Sequence, residues 1–156
     1  MIGIINYQRG NLNNVARAFE YFGFATEITD NPARLDRYQG VVLPGVGAFA
    51  DAMQTLRETG FDQALCRYIA SDRPFLGICL GLQLLFERGL EFGEHEGLGI
   101  LKGRVRRFEI EEKVPHMGWN TVSFQKPSSI LKGIHEGDSF YFVHSYYVEP
   151  EEPGIA

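Results

Sequence analysis

Ile2 to Ile5 is an unbroken apolar run, and shortly after it Leu12, Val15, Ala16, Phe19 and Phe22 recur at three- and four-residue spacing until Gly23. The first pattern predicts a short buried strand, the second an amphipathic helix that glycine stops. The alternation repeats through the first half of the chain. Phe24 to Ile28 reads as a second strand, Asn31-Pro32 as the cap of a short helix, and Val41-Val42-Leu43 as a third strand running into Pro44-Gly45-Val46-Gly47. Helices follow over Phe49 to Arg57 and Phe61 to Ile69, then a fourth strand over Phe75 to Ile78 and a fifth helix over Leu80 to Glu87. Short apolar strands alternating with helices imply right-handed crossovers and a parallel sheet covered on both faces, with a crevice at the carboxyl ends of the strands. Both glycine-rich turns lie at such ends. Beyond residue 100 the pattern changes: Gly103 to Ile110, Thr121 to Phe124 and Ser139 to Val143 are strand-like with little helix between them. These predict an antiparallel extension of the sheet. Glu149 to Gly154 reads as a polar turn.

Composition narrows the functional classes. A chain of 156 residues with 44% hydrophobic and 22% charged positions suits one domain with one core. The net charge of -5 argues against nucleic acid, because phosphate binding needs concentrated positive charge. Lys102, Arg104, Arg106 and Arg107 form one local basic cluster, read as a solvated face rather than as a dock for an acidic partner. Two cysteines make no disulfide framework, and Met-Ile-Gly-Ile-Ile begins without a basic leader, so a reducing cytoplasm is the expected setting. No apolar stretch approaches the roughly 20 residues that span a bilayer, which excludes a membrane role. No His, Cys or carboxylate cluster has ligand spacing, so neither metal nor cofactor is expected.

The candidate chemistry sits at Pro74-Phe75-Leu76-Gly77-Ile78-Cys79-Leu80-Gly81-Leu82-Gln83, an apolar run ending in a cysteine between two glycines. This is the pattern of a nucleophile elbow, where small flanking residues permit a strained turn that pushes the reactive atom into a cleft. It also places Cys79 at the start of the predicted helix, whose unpaired N–H groups favour a thiolate. Cysteine is commonly buried as a packing residue, but Gly77, Gly81 and the polar Gln83 one helical turn on favour catalysis. Cys66, in a helical pattern with Leu65 and Ile69, reads as packing. A thiolate attacking a carboxamide builds charge on the former carbonyl oxygen, which needs N–H donors aimed at it. The N–H of Leu80 is one candidate. Gly45, Val46 and Gly47 supply the other, in a loop whose glycines permit close approach and a peptide flip.

Together Pro44-Gly45-Val46-Gly47 and Gly77-Ile78-Cys79-Leu80-Gly81-Leu82-Gln83 resemble class I, triad-type glutamine amidotransferases. Asn6-Tyr7, Gly10-Asn11-Leu12, Pro115 to Asn120 and Tyr141 to Tyr147 are similar, within that family, to the glutaminase subunits of imidazole glycerol phosphate synthases. The resemblance covers essentially the whole chain. It implies a flavodoxin-like three-layer α/β sandwich that hydrolyses glutamine to glutamate and ammonia through a cysteinyl thioester, and hands the ammonia to a separate (β/α)8-barrel cyclase. It further implies Cys79 as nucleophile, Gly45 to Gly47 and Leu80 around the oxyanion, and Gln83, His144, Ser145 and Tyr146 about the glutamine. Asn11, His116, Trp119 and Asn120 would face the cyclase. From the residues alone, Trp119 is equally a core or an interface side chain, and Gln83, one helical turn after Cys79, stands on the cleft side or is an exposed helix position.

The sequence departs from the family at the proton relay. The family carries a histidine and a glutamate two residues apart near its C-terminus, whereas none of His95, His116, His135 and His144 is followed two positions later by Asp or Glu. A histidine must take the thiol proton and return one to ammonia, with a carboxylate orienting it. His144 is a poor substitute because its segment is implied in substrate binding. The expectation is therefore a single glutaminase domain over 1–156 that belongs to a longer protein, and is inactive in this span alone. Two alternatives stand beside it: another class I amidotransferase with a different acceptor, and a glutamine-binding module that regulates without catalysing.

Overall fold

The computed structural model of the chain describes residues 1–152. Its first half forms a parallel sheet from β1 (Ile2–Ile5), β2 (Thr26–Thr29), β3 (Gly40–Gly45) and β4 (Phe75–Cys79), in the order β2-β1-β3-β4. That order, with helical crossovers, is the flavodoxin-like arrangement. Successive side chains of a strand point to opposite faces, and the core divides accordingly. Ile4 and Val42 lie under α1 (Leu12–Tyr21), whereas Ile5, Val41 and Leu43 face α2 (Phe49–Thr59) and α3 (Phe61–Ala70). The second face carries the larger core, with Tyr7, Phe49, Leu56, Phe61, Leu65 and Tyr68 almost wholly buried. The result is three layers, helix on sheet on helices.

Local chemistry sets the element ends. The Asn31 side chain accepts from the Ala33 N–H at 3.0 Å with Pro32 at the first position of a 3-10 turn over Pro32–Arg37. Gly60 at φ 76° ends α2 and begins α3 in one residue, a left-handed conformation that glycine adopts without penalty. Because β1 leads to β2 on one side and the chain then returns to β3 on the other, the order reverses between β1 and β3. Their carboxyl ends, residues 6–11 and Pro44 to Gly47, therefore border an open crevice.

The second half differs from the sequence expectation in three ways. The helix expected over Leu80 to Glu87 is a single turn, α4 (Leu80–Gln83), after which β5 (Phe86–Gly89) begins. Leu84, Leu85 and Phe86 are buried one after another, so this apolar run has no solvent face on which a longer amphipathic helix could lie. The helix dipole expected behind Cys79 is correspondingly reduced to one turn. The strand placed over Thr121 to Phe124 is instead β8 (His116–Thr121), paired antiparallel with β9 (Ser139–His144) from His116↔His144 to Thr121↔Ser139. Gly118 and Asn120 dilute its strand propensity and hid it.

The antiparallel extension is also not an extension. β5, β6 (His95–Glu96), β7 (Leu101–Arg107) and β10 (Tyr146–Pro150) make a separate sheet in the order β10-β7-β5-β6, and β8-β9 is a two-stranded ribbon. Within the second sheet β5 and β7 run parallel, and β10 pairs antiparallel with β7. The segment read as a polar turn thus begins inside β10, where Glu149 pairs with Arg104; residues 153–156 lie outside the described residues. Arg104 Nε and Arg106 Nη1 approach the Glu149 carboxylate at 2.6 and 3.3 Å, so much of the basic cluster is matched on this solvated face. No helix among the described residues is long and apolar enough to cross a membrane.

Candidate active site

Cys79 ends β4 in register with Gly45 of β3 and adopts φ 55°, ψ -116°, a left-handed backbone that a residue with a side chain rarely occupies. The two flanking glycines show why the chain tolerates it. A Cβ on Gly81 would land on the carbonyl oxygen of Leu43, and one on Gly77 would stand 2.8 Å from the Gly81 oxygen and from Leu82 Cα. Strand, turn and helix therefore close on one another more tightly than any side chain allows. The cysteine is left exposed at the turn while Leu80 and Gly81 are buried beneath it. This is the elbow that the spacing predicts.

Above Cys79 lies a cleft of about 310 Å3 that also touches Val46, Gly47, Leu80 and Gln83. It adjoins a second hollow of about 480 Å3 formed with Tyr141, Phe142 and Tyr147. Gln83, His144 and Tyr146 border both. The structure thus brings together every residue expected at the nucleophile, the oxyanion loop and the glutamine, Gly45 being buried behind the cleft and Ser145 on its wall. Gly47, at φ 97°, and Val46 are exposed at the tip of the loop.

The polar groups on the far wall converge on one atom. The Tyr146 carbonyl lies 3.0 Å from His144 Nδ1 and 3.5 Å from the Gln83 amide nitrogen. If His144 donates through Nδ1, its Nε2 is an acceptor for the Nδ1–H of His116 at 3.3 Å, which sets both tautomers. Phe108 meets the His144 ring edge-on at 4.9 Å and further holds its plane. Both nitrogens of His144 are therefore occupied, and its neighbours are a carbonyl and a second imidazole rather than a carboxylate. It is built as a rigid wall of the cleft, not as a free base.

The residues expected at a partner surface divide between two faces. His116 and Trp119 are three apart on β8, so they project to opposite sides of the ribbon. His116 turns toward Phe142 and His144. Trp119, 73% exposed, packs edge-on against Tyr141 on the other side, where Met117 and Val143 are also exposed. Asn120 is exposed near the end of β8, and Asn11 caps α1 by accepting from the Asn14 N–H at 3.4 Å.

Two residues, one in the cleft and one buried outside it, escape the sequence pattern. Glu91 lies in a loop after β5, lines the cleft, and accepts from the Phe49 N–H at 2.8 Å, which pins its carboxylate at the start of α2. Tyr7 is wholly buried, its hydroxyl against Gly45 at the end of β3. A loop acid and an aromatic in an apolar stretch carry no periodic signal; only the folding of residues 7, 45, 79 and 91 to one place marks them.

Comparison with known proteins shows the family. The model of the family "Glutamine amidotransferase class-I" matches residues 3–156. The "Imidazole glycerol phosphate synthase subunit HisH" of Desulfitobacterium hafniense is 56% identical over 99% of this chain and 74% of its own length. The protein of the same name from Aquifex aeolicus is 51% identical over 97% of this chain and 74% of its own. Among solved structures, one described as a glutamine amidotransferase superposes over 98% of this chain and 76% of its own, with a TM-score of 0.76 at 16% identity, a likeness of fold. With the family model matched over residues 3–156 and these relatives over nearly the whole chain, the protein belongs to the class I glutamine amidotransferase family, among its HisH subunits.

Proposed function

We propose that this chain is the glutaminase domain of an imidazole glycerol phosphate synthase, releasing ammonia for a cyclase subunit built as a (β/α)8 barrel. The observation that carries the reading is Cys79, held at φ 55° between Gly77 and Gly81 and facing a cleft beside Val46 and Gly47 of the loop after β3. The Cys79 sulfur attacks the carboxamide carbon of glutamine, the oxyanion forms, the thiol proton passes to the amide nitrogen, the C–N bond breaks to release ammonia, and a thioester remains. Water then cleaves the thioester to glutamate and restores the thiol. The N–H of Leu80 and those of the Gly45 to Gly47 loop are assigned to the oxyanion. Glu91, anchored at the rim, suits the substrate's α-ammonium, and Gln83 and Ser145 its other polar groups. Among the described residues no histidine backed by a carboxylate stands at Cys79, so these residues are assigned attack, oxyanion stabilisation and binding, and not the proton relay.

Trp119 and its exposed neighbours on β8 and β9, with Asn11, are assigned to the cyclase, since exposed aromatic groups anchor interfaces; Asn120 shares the His116 side of the ribbon. The test is glutamate release by the full-length chain with its cyclase, beside mass spectrometry after a glutamine-like electrophile. One adduct at Cys79, and loss of at least about a thousandfold in rate in Cys79→Ala with its circular dichroism intact, supports the reading. Glutamine binding with neither adduct nor glutamate would establish the regulatory module instead.

A further inference from the structure

The Tyr7 hydroxyl is wholly buried and has no hydrogen-bond partner among the described residues. Buried hydroxyls are almost always paired, so an orphan at this depth calls for a reason. Its position offers one. The hydroxyl oxygen lies 2.7 Å from where a Cβ on Gly45 would stand, and the Gly81 nitrogen is 2.8 Å from the same point. Tyr7 thus ends against the base of the oxyanion loop, and it is not among the residues that line the cleft. The loop that carries Tyr7 touches the same segment at two further points, since Cβ atoms on Gly10 and Gly47 would meet Pro44 Cβ at 3.2 Å and Arg9 Nη1 at 3.1 Å.

A peptide that turns its N–H toward an oxyanion turns its carbonyl the opposite way. Over Pro44 to Gly47 the opposite way is the protein interior, where an inward carbonyl needs a donor. We propose that Tyr7 is a positioning residue, whose O–H receives the carbonyl that turns inward when this loop presents its N–H to the oxyanion. The orphaned hydroxyl then biases the loop, because the hole-forming arrangement pairs a group that the present one leaves unpaired. Burial also pushes the phenol far above its usual range, so that it stays protonated and able to donate. This role rests on the glutaminase reading and extends it to a residue that does not touch substrate.

The test is Tyr7→Phe in the full-length chain with its cyclase, since the ring is kept and only the hydroxyl removed. The expected result is a fall in kcat of about tenfold with KM within twofold, smaller than the hundredfold or more for a direct oxyanion donor. Alkylation of Cys79 by iodoacetamide should stay within twofold, and Tm should hold or rise, as befits loss of an unpaired hydroxyl. An unchanged kcat in an active background overturns the proposal. A joint loss of kcat, KM and alkylation also overturns it, by showing that Tyr7 only supports the site's packing. A wild-type complex that releases no glutamate would instead sink the glutaminase reading itself, and this role with it.

Discussion

Replacing Gly81 by alanine sets two effects against each other. Gly81 lies within α4, and alanine in a helix is favoured over glycine by about 1 kcal/mol, so propensity alone predicts a more stable protein. The new methyl group, however, would coincide with the Leu43 carbonyl oxygen, with Leu43 Cγ only 3.3 Å away. Leu43 is wholly buried in the middle of β3, so it cannot swing aside as an exposed side chain could. Either α4 moves off the sheet or β3 loses its pairing with β4. Overpacking of a tight interior costs about 1–3 kcal/mol, and a backbone obstacle puts this case at the upper end. After subtracting the helix gain, a net loss of about 2 kcal/mol remains. With a urea slope of about 2 kcal/mol per molar, the unfolding midpoint should fall by about 1 M at unchanged slope. Leu82→Ala, one residue on at a side chain 39% exposed, should cost less than about 1 kcal/mol and serves as the control. A Gly81→Ala midpoint equal to or above that of the wild type would refute the claim that close approach, rather than turn flexibility, requires this glycine.

Three further outcomes follow from the site and its frame. Cys79→Ser should fold normally and lose glutamate release, and a variant that kept more than about a hundredth of the wild-type rate would remove Cys79 as nucleophile. Trp119→Ala should weaken cyclase affinity about 30-fold with little change in stability, whereas His116→Ala, on the opposite face of the ribbon, should leave affinity within about threefold; titration calorimetry with the purified cyclase decides, and equal losses would reject the division of faces. The hydrogen bond from Arg104 foremost, and Arg106 with it, holds the Glu149 carboxyl below its usual range. A lowered folded value means that its stabilisation is fully present above the ordinary carboxylate range and is lost as pH falls through the folded value. Wild type and Glu149→Gln should therefore differ in Tm at pH 7 and converge as pH falls below the ordinary carboxylate range, and a difference undiminished in strong acid would exclude the ion pairs on β7 as its cause.

The order of elements through β4 was legible because each carries a local signal: apolar runs for buried strands, three- and four-residue spacing for α1 to α3, Gly23 and Asn31-Pro32 at element ends. The elbow was legible for the same reason, since two glycines about a cysteine are a local steric requirement. Beyond Gln83 the local signal is ambiguous. Leu84 to Phe86 would suit a helix or a buried strand equally, and only pairing of β5 with β7, fifteen residues on, selects the strand. Gly118 and Asn120 likewise make a poor strand alone and a regular one against β9. The site divides in the same way: Cys79, Gly45 to Gly47 and Gln83 belong to turns whose chemistry is written in neighbouring residues. Glu91, the engagement of both His144 nitrogens, and the unpaired Tyr7 hydroxyl against Gly45 arise from contacts between segments far apart in the chain. Sequence alone determined which groups this protein holds and where the chain must turn, because turns and periodicity are short-range. Which of those groups face one another, and which are left without a partner, only the tertiary structure decided, because burial and hydrogen bonding are settled by what the rest of the chain brings alongside.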